Sequence, residues 1–332
     1  MKDHKRTAVL SRYKQERNLG IALLLIAVIL SLTTKGFLSS YSISMILYNS
    51  SLLGLMAIGM TVVIIMGEID LSIGSLVAAS SCLYSYFAVT RSWGLWLALI
   101  PSLLAGVVGG ATMAFLRNRF RIPTFISSLA FFMIWRGVAL VLTGSRTISG
   151  FDDSFGVLGA WSLFGTIPLL TLILAVIAAG AWFLLSRTSG GLYVYAIGSN
   201  EWIARLTGVP VDRMRYTALI ALGLLASFAG IVVTSNLMAG NPTVGEGFEM
   251  LVVAAVILGG TSLAGGSGTI IGALLGVVFL QLIESGLVLL GVDPFMMMLL
   301  RGTIILLAFF AGTVQQYGLA GVSRKTLATS QE

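Results

Sequence analysis

Two carboxylates lie two residues apart in an otherwise apolar stretch, Gly67-Glu-Ile-Asp-Leu-Ser-Ile-Gly74. At membrane depth such side chains bind a proton, a cation or a polar solute, or they take a counter-ion. Side by side, Glu68 and Asp70 disfavour each other's ionisation. Asp70 can also cap the helix that follows, through the amides of Leu71–Ile73, with Ser72 and Ser75 as supporting hydroxyls. Two arginines are equally out of place, Arg136 in Ile134-Trp-Arg-Gly137 and Arg301 in Leu299-Leu-Arg-Gly302. A guanidinium facing lipid at mid-bilayer costs about 2.5–3.5 kcal/mol on insertion scales. Each arginine therefore lines a polar path, donating to the hydroxyls of a solute, or it pairs with Glu284, Glu249 or the outer headgroups. Other chemistries are excluded by what is missing. Cys82 is the only cysteine and His4 the only histidine, so neither a thiolate metal cluster nor a His-dependent triad can be built. None of the five lysines stands in a G-x-x-x-x-G-K-[ST] setting, so the chain carries no nucleotide-hydrolysing P-loop.

The elements that must position these residues are apolar helices. Of 332 residues 57% are hydrophobic and 10% charged, against about 25% charged in a soluble domain. The mean hydropathy is +0.98. Apolar blocks of bilayer-crossing length alternate with short polar stretches. The pattern predicts an all-α polytopic membrane protein with about ten spans, at 19–34, 43–66, 72–90, 95–116, 123–143, 165–186, 216–236, 247–261, 269–290 and 295–314. With the N-terminus in the cytoplasm, about fifteen lysines and arginines fall inside and three outside (Lys35, Arg91 and Arg146), a strong positive-inside bias. Both termini are then cytoplasmic, and the net charge of +7 is a topology signal with no bearing on nucleic acid. Residues 1–18 form a basic cytoplasmic segment, 19–314 the transmembrane body and 315–332 a cytoplasmic tail. A cleaved leader over 1–34 is the competing reading, but Ser31-Leu-Thr-Thr-Lys-Gly36 offers no small-x-small cleavage site.

Two spans are interrupted, at Gly67–Gly74 and at Gly259-Gly-Thr-Ser-Leu-Ala-Gly-Gly-Ser-Gly268. Paired Gly-broken segments in the two halves of a chain point to a transport pathway, which makes Gly259 and Gly260 candidates for gating beside Glu68, Asp70, Ser72, Arg136 and Arg301. Gly106, Gly110, Gly223, Gly230, Gly272 and Gly276 read instead as close helix packing. Trp93, Trp96 and Trp161 fall near outer boundaries, as an interfacial belt would. Asn236, Asn241, Glu246 and Glu249 fall near an outer loop, solvated or touching an external partner.

The longest inner loop, 187–215, carries a short helix of its own. Ser199 or Asn200 can cap it, Glu201 suits its first turn, and Gly208 with Pro210 stops it. About two turns long, it is marginal alone and needs something to pack on. It would offer Trp202, Ala204, Leu206 and Val209 as small and apolar contacts and Arg205 as a charged one, either to a partner or to lipid headgroups.

The segment Ala196-Ile-Gly-Ser-Asn-Glu-Trp-Ile-Ala-Arg-Leu-Thr-Gly-Val209 resembles the coupling loop of ribose-type ABC sugar-importer permeases. Gly59–Ser75 and Ala255–Ala273 resemble the same family, in the family's order. Where that family usually reads G-G-I-D-L-S, this chain has Glu68 in place of the second glycine, and branched-chain amino-acid permeases look similar at that loop. The resemblance implies half of an importer pore in a bacterial inner membrane. Its partners would be ABC ATPase subunits, a periplasmic substrate-binding protein, a second permease subunit and membrane lipid. Gly198, Asn200, Glu201, Ala204, Arg205 and Gly208 would serve ATPase coupling. No cofactor is expected on this chain, ATP-Mg being on the partner ATPase, and no covalent chemistry is expected in it. An ion-gradient carrier or channel is the main rival, using Glu68, Asp70, Glu249 and Glu284 and needing no coupling helix. An intramembrane enzyme lacks any constellation to support it.

Overall fold

The structure, a computed structural model, describes residues 2–307 and 310, with side chains from residue 16 onward. The expected tail at 315–332 and the end of the last expected span lie outside the described residues. Helices dominate: α1 (Lys2–Thr33), α2 (Ser40–Ile65), α3 (Ile73–Ser85, continued as a π-turn to Thr90), α4 (Leu95–Phe120) and α5 (Thr124–Thr143). After a short α6 (Val157–Ala160) come α7 (Leu169–Arg187), α8 (Ser189–Ser199), α9 (Glu201–Leu206) and α10 (Val211–Leu237). The described chain closes with α11 (Phe248–Leu258), α12 (Ile270–Leu289) and α13 (Pro294–Leu307). Eight helices are long and apolar enough to cross a membrane, while α11 and α13 are apolar but shorter.

The strands are two-residue pairings. β1 (Ile148–Ser149) runs antiparallel to β4 (Ala239–Gly240), and β2 (Ser162–Leu163) to β3 (Ile167–Pro168).

Burial sorts the helices. α2 is apolar all round and sits at the centre, with Leu55, Met56, Ala57, Met60, Ile64 and Ile65 wholly covered, as a helix without a polar face must. α10 packs against both α2 and α3, α4 and α5 close around α3 and α10, and α11 and α12 lie against α2. Lipid competes for apolar surface, so association rests on close backbone approach and polar bridges. Both are present. Gly106 on α4 meets the backbone of Gly223 on α10, and Gly110 meets that of Leu219 and Ile220. Gly230 faces Val77 and Ser80 of α3, and Gly276 faces Ala255, so the glycines expected at helix contacts are found there. Ser80 donates to Ser227 at 2.9 Å, and Thr234 to Ser81 at 2.7 Å, deep between α3 and α10.

Three of the non-helical connections between apolar helices bear on the site. Met66–Ser72 separates α2 from α3, and 259–269 separates α11 from α12, as the glycine-rich runs predict. The third, between α10 and α11, is one the sequence reading passes over. Gly240 lies against Ser81 and Ser85 of α3, and Gly245 against Gly74 and Val77 of the same helix. From Gly240 to Gly245 the chain therefore descends along α3 by about two helical turns, roughly 11 Å. Backbone of this kind survives at membrane depth only where protein satisfies its polar groups.

Candidate functional site

The inner loop folds as two helices, where the sequence predicts one. Thr188 caps α8 by accepting from the Gly191 amide at 3.4 Å, and α10 begins five residues before the expected 216. The expected helix is α9, shorter than two full turns. Asn200 is its cap, with Oδ1 accepting from the Ile203 amide at 3.0 Å, and Glu201 stands in the first turn. Gly208 takes φ +82°, the left-handed conformation that releases the chain from the helix before Pro210.

α9 presents Trp202, Ile203 and Leu206 outward, at 69%, 52% and 66% exposure. Ala204 is turned inward and buried, so the outward contact expected of it passes to Ile203. The inward face is fixed by position: on six helical residues, Ala204 and the following Val209 are the groups that meet the bundle. Gly198 is also inside. Its Cα packs on the Ile65 carbonyl and the Gly266 amide, and a Cβ there would collide with both backbones. The Gly266 amide itself donates to the Ile65 carbonyl at 2.8 Å. Tyr195 Oη donates to the Gly268 carbonyl at 2.8 Å. The two Gly-broken loops thus meet at the end of α2, and α8 holds them together.

Charge completes this arginine-rich end of the bundle. Glu68 is buried, yet its carboxylate is fully engaged. Arg117 Nε from α4 donates to Oε1 at 2.8 Å, Arg215 Nε from α10 lies 2.9 Å from the same oxygen, and Thr124 Oγ1 from α5 donates to Oε2 at 2.6 Å. The like-charge pairing expected between Glu68 and Asp70 is therefore replaced by two cations and a hydroxyl. Arg215 is 2% exposed, and its Nη2 donates to Glu201 Oε2 of α9 at 3.1 Å while Nη1 donates to Asn118. Arg117 reaches the same Glu201 oxygen at 3.5 Å. Farther out, Arg205 bridges Glu201 at 3.0 Å and Asp212 at 2.6 Å. Three carboxylates and three guanidiniums make the cluster neutral. Burial raises the Glu201 carboxyl, but Arg215, Arg205 and Arg117 outweigh it and hold it below the usual range.

From the sequence alone, Arg117 and Arg215 count only as topology charges. An acidic residue inside an apolar stretch demands a counter-ion, and that demand was the available signal for them.

A second polar region lies where α3 and α11 begin. Asp70 Oδ1 accepts from the Ser72 amide at 2.8 Å and from Ser72 Oγ at 2.6 Å, so it forms a turn ahead of α3, whose cap position is Ser72, and bonds none of the helix's own first amides. Its Oδ2 and Ser75 Oγ have no hydrogen-bond partner among the described residues. Glu249 opens α11 and is buried, with its carboxylate against Gly74 of α3. The outer-loop placement expected of Glu249 is corrected by this contact, which follows from the inward run of 240–247. Asn236 donates to the Gly159 carbonyl at 3.1 Å, Asn241 accepts from Thr243, and Glu246 is exposed.

Arg136 neither faces open solvent nor pairs with a carboxylate. Its Nη1 donates to the carbonyls of Pro242 and, at 3.2 Å, Val244, supplying the hydrogen bonds that the non-helical run cannot make to itself. Arg301 pairs with Glu284 across α13 and α12, and Gln281 donates to the same carboxylate at 3.1 Å. Gly259 caps α11 and packs on the Gly272 backbone, and Gly260 makes the turn that follows, so both serve the α11–α12 contact. Among the described residues no group of three or more His, Cys, Asp and Glu could hold a metal ion.

The family described as branched-chain amino acid transport system / permease component matches residues 42–309. The ribose import permease protein RbsC of Escherichia coli (strain K12) is 37% identical over 300 residues, covering 89% of this chain and 93% of that protein. The L-arabinose ABC transporter permease protein AraH of Azospirillum brasilense is 35% identical over 280 residues, 84% of this chain and 82% of its own length. The autoinducer 2 import system permease protein LsrC of Yersinia pestis (strain Pestoides F) is 36% identical over 270 residues, 81% of this chain and 76% of that protein. No solved structure matches.

Proposed function

This chain belongs to the branched-chain amino acid transport system permease family, and from that premise we propose that it is the membrane-spanning permease of an ABC importer for a sugar or sugar-like solute. The family heading names amino acids, but the relatives that align along most of the chain are import permeases for ribose, L-arabinose and autoinducer 2. Carbohydrate is accordingly the substrate class. The protein is a multi-pass membrane protein, set in the bacterial inner membrane with both termini in the cytoplasm. α11 and α13 bring the eight long helices to ten crossings, and 19–314 is the permease body.

The observation that carries the reading is α9. A six-residue helix is too short to persist alone. Here it is anchored to the bundle by buried charges and shows Trp202, Ile203 and Leu206 to the outside. That combination suits a cytoplasmic ATPase carrying ATP-Mg. A periplasmic binding protein would deliver the solute on the opposite side, and a second permease subunit would complete the pore. Nucleotide-driven closure of the ATPases would move the coupling helices and switch a two-state bundle between inward and outward access.

Purification of the chain from its native membrane in mild detergent, with mass spectrometry of what accompanies it, tests this. The expected result is a P-loop ATPase in the complex, together with uptake of tritiated ribose or arabinose that stops when ATP is withheld. Recovery of the chain alone, with uptake that follows an ion gradient, would overturn the reading in favour of a secondary carrier.

A further inference from the structure

Resting on the importer reading, we infer that Glu68, Arg215 and Glu201 form an ionic relay that carries movement of α9 to the broken loops of the bundle, with Glu68 as the positioning residue at its centre. A push on α9 has to reach the path through something stiff. One covalent route, Thr207–Pro210, turns through a glycine at φ +82° and leads to the start of α10, and the other leads through Asn200 to α8, which packs on both broken loops. Charge provides a further route. Glu201 on α9 holds Arg215 on α10, and Arg215 holds Glu68 in the α2–α3 connection.

The inner links differ in kind from the outer ones. Arg205, Glu201 and Asp212 are each more than a third exposed, where ion pairs are weak and screened. Glu68 and Arg215 are shut off from solvent, at 6% and 2% exposure. Parting them would break the most buried pair of the cluster, leaving Glu68 to Arg117 and Thr124 and Arg215 to Glu201 and Asn118, so the two move together. Glu68 then branches. Its second oxygen takes the Thr124 hydroxyl at the start of α5 at 2.6 Å. Twelve residues farther along the same helix, about 18 Å, Arg136 grips the carbonyls of Pro242 and Val244. One carboxylate thus joins α9 to the α2–α3 break through Arg215 and to the non-helical 240–247 run through α5.

The test uses the complete importer, permease with its own ATPase and binding protein, in proteoliposomes. It reads ATP hydrolysed per molecule of tritiated ribose or arabinose taken up. Glu68→Gln keeps shape and hydrogen-bonding capacity but removes the charge. The ratio is expected to rise about tenfold, within the range that couplings between sites span. Glu201→Gln, at the other end, gives a similar rise. Because one broken link silences a series, the double variant is no worse than the worse single one, where independent effects would multiply.

A ratio within about twofold of wild type, well below an ordinary coupling, in either assembled single variant overturns the relay. So does a double variant whose effects multiply. If Glu68→Gln prevents assembly, Glu201→Gln and Thr124→Val decide the matter, and an unchanged ratio in either overturns the relay. A wild-type chain that transports with no ATPase bound overturns the importer reading itself, before any variant is compared.

Discussion

Glu68 and Asp70 are neighbours but for one residue, and the fold treats them in opposite ways. Glu68 is met by two guanidiniums and a threonine from three different helices. Asp70, no less buried, is met by the amide and hydroxyl of Ser72 alone, and its outer oxygen has no partner among the described residues. The contrast extends to their surroundings. At the arginine-rich end every oxygen of Glu68 and Glu201 is engaged, and Arg215 Nε, a buried atom there without a hydrogen bond, still lies 2.9 Å from Glu68 Oε1. Where α3 and α11 begin, Asp70 Oδ2, Ser75 Oγ, Glu249 Oε2 and Arg136 Nη2 all stand without one. Unmatched buried polar groups are costly, and fully matched networks are rigid. One region is therefore a stiff joint, and the other has the least to lose by rearranging. A transporter needs both, the first to pass a displacement on and the second to yield to it.

Four measurements sharpen or break that contrast. The largest effect belongs to Arg215→Leu, which takes from Glu68 the more buried of its two guanidiniums and should cost about 3 kcal/mol, the low end for breaking a buried pair, because Arg117 and Thr124 stay on the carboxylate. Thermal unfolding of the purified protein in detergent reads it, and a change too small to detect would mean that the joint is not stiff. Arg136→Met leaves two buried carbonyls short of a donor and should cost about 1–3 kcal/mol in the same assay. Asp70→Asn should cost less than about 1 kcal/mol, because an amide oxygen keeps both Ser72 bonds and no counter-ion is abandoned. If Asp70→Asn proves the most damaging of the three, the contrast is reversed.

The smallest effect is one of pH. The folded state holds the Glu201 carboxyl below its ordinary value of 4.5. A depressed value stabilises the fold above the unfolded value, and that stability is lost as the pH falls through the lower folded one. The melting temperature should therefore drop further below about pH 4.5 in the wild type than in Glu201→Gln. Identical pH profiles would place Glu201 outside the ionic joint.

Much of this was legible in the chain because it is encoded locally. Apolar run lengths mark the long helices, the Asn200 cap and the Gly208 stop frame α9, and Gly106 and Gly223 announce their packing by type. What was not legible depends on distant partners. Arg117 lies 49 residues and Arg215 147 residues from Glu68, and nothing in their own neighbourhoods distinguishes them from the other arginines at inner helix ends. α8 was hidden by Ser189-Gly-Gly191, which reads as a loop until Thr188 caps it. The stretch at 240–247 failed for a related reason. Its glycines and proline predict an exposed turn, and only Arg136 and the surface of α3 make a buried path tolerable.

That stretch also constrains how the protein is made. A helix brings its own hydrogen bonds into the bilayer, but 240–247 makes only a few, through the Val244 and Thr243 amides on Asn241, and takes others from its hosts. Its hosts, Arg136 on α5 and the face of α3 from Gly74 to Ser85, are both encoded upstream. A ribosome delivers them first, and the late segment is received by a cradle already standing in the membrane. Moving α3 or α5 behind residue 258 by circular permutation would leave every contact of the finished bundle available and still take away the order in which it is assembled.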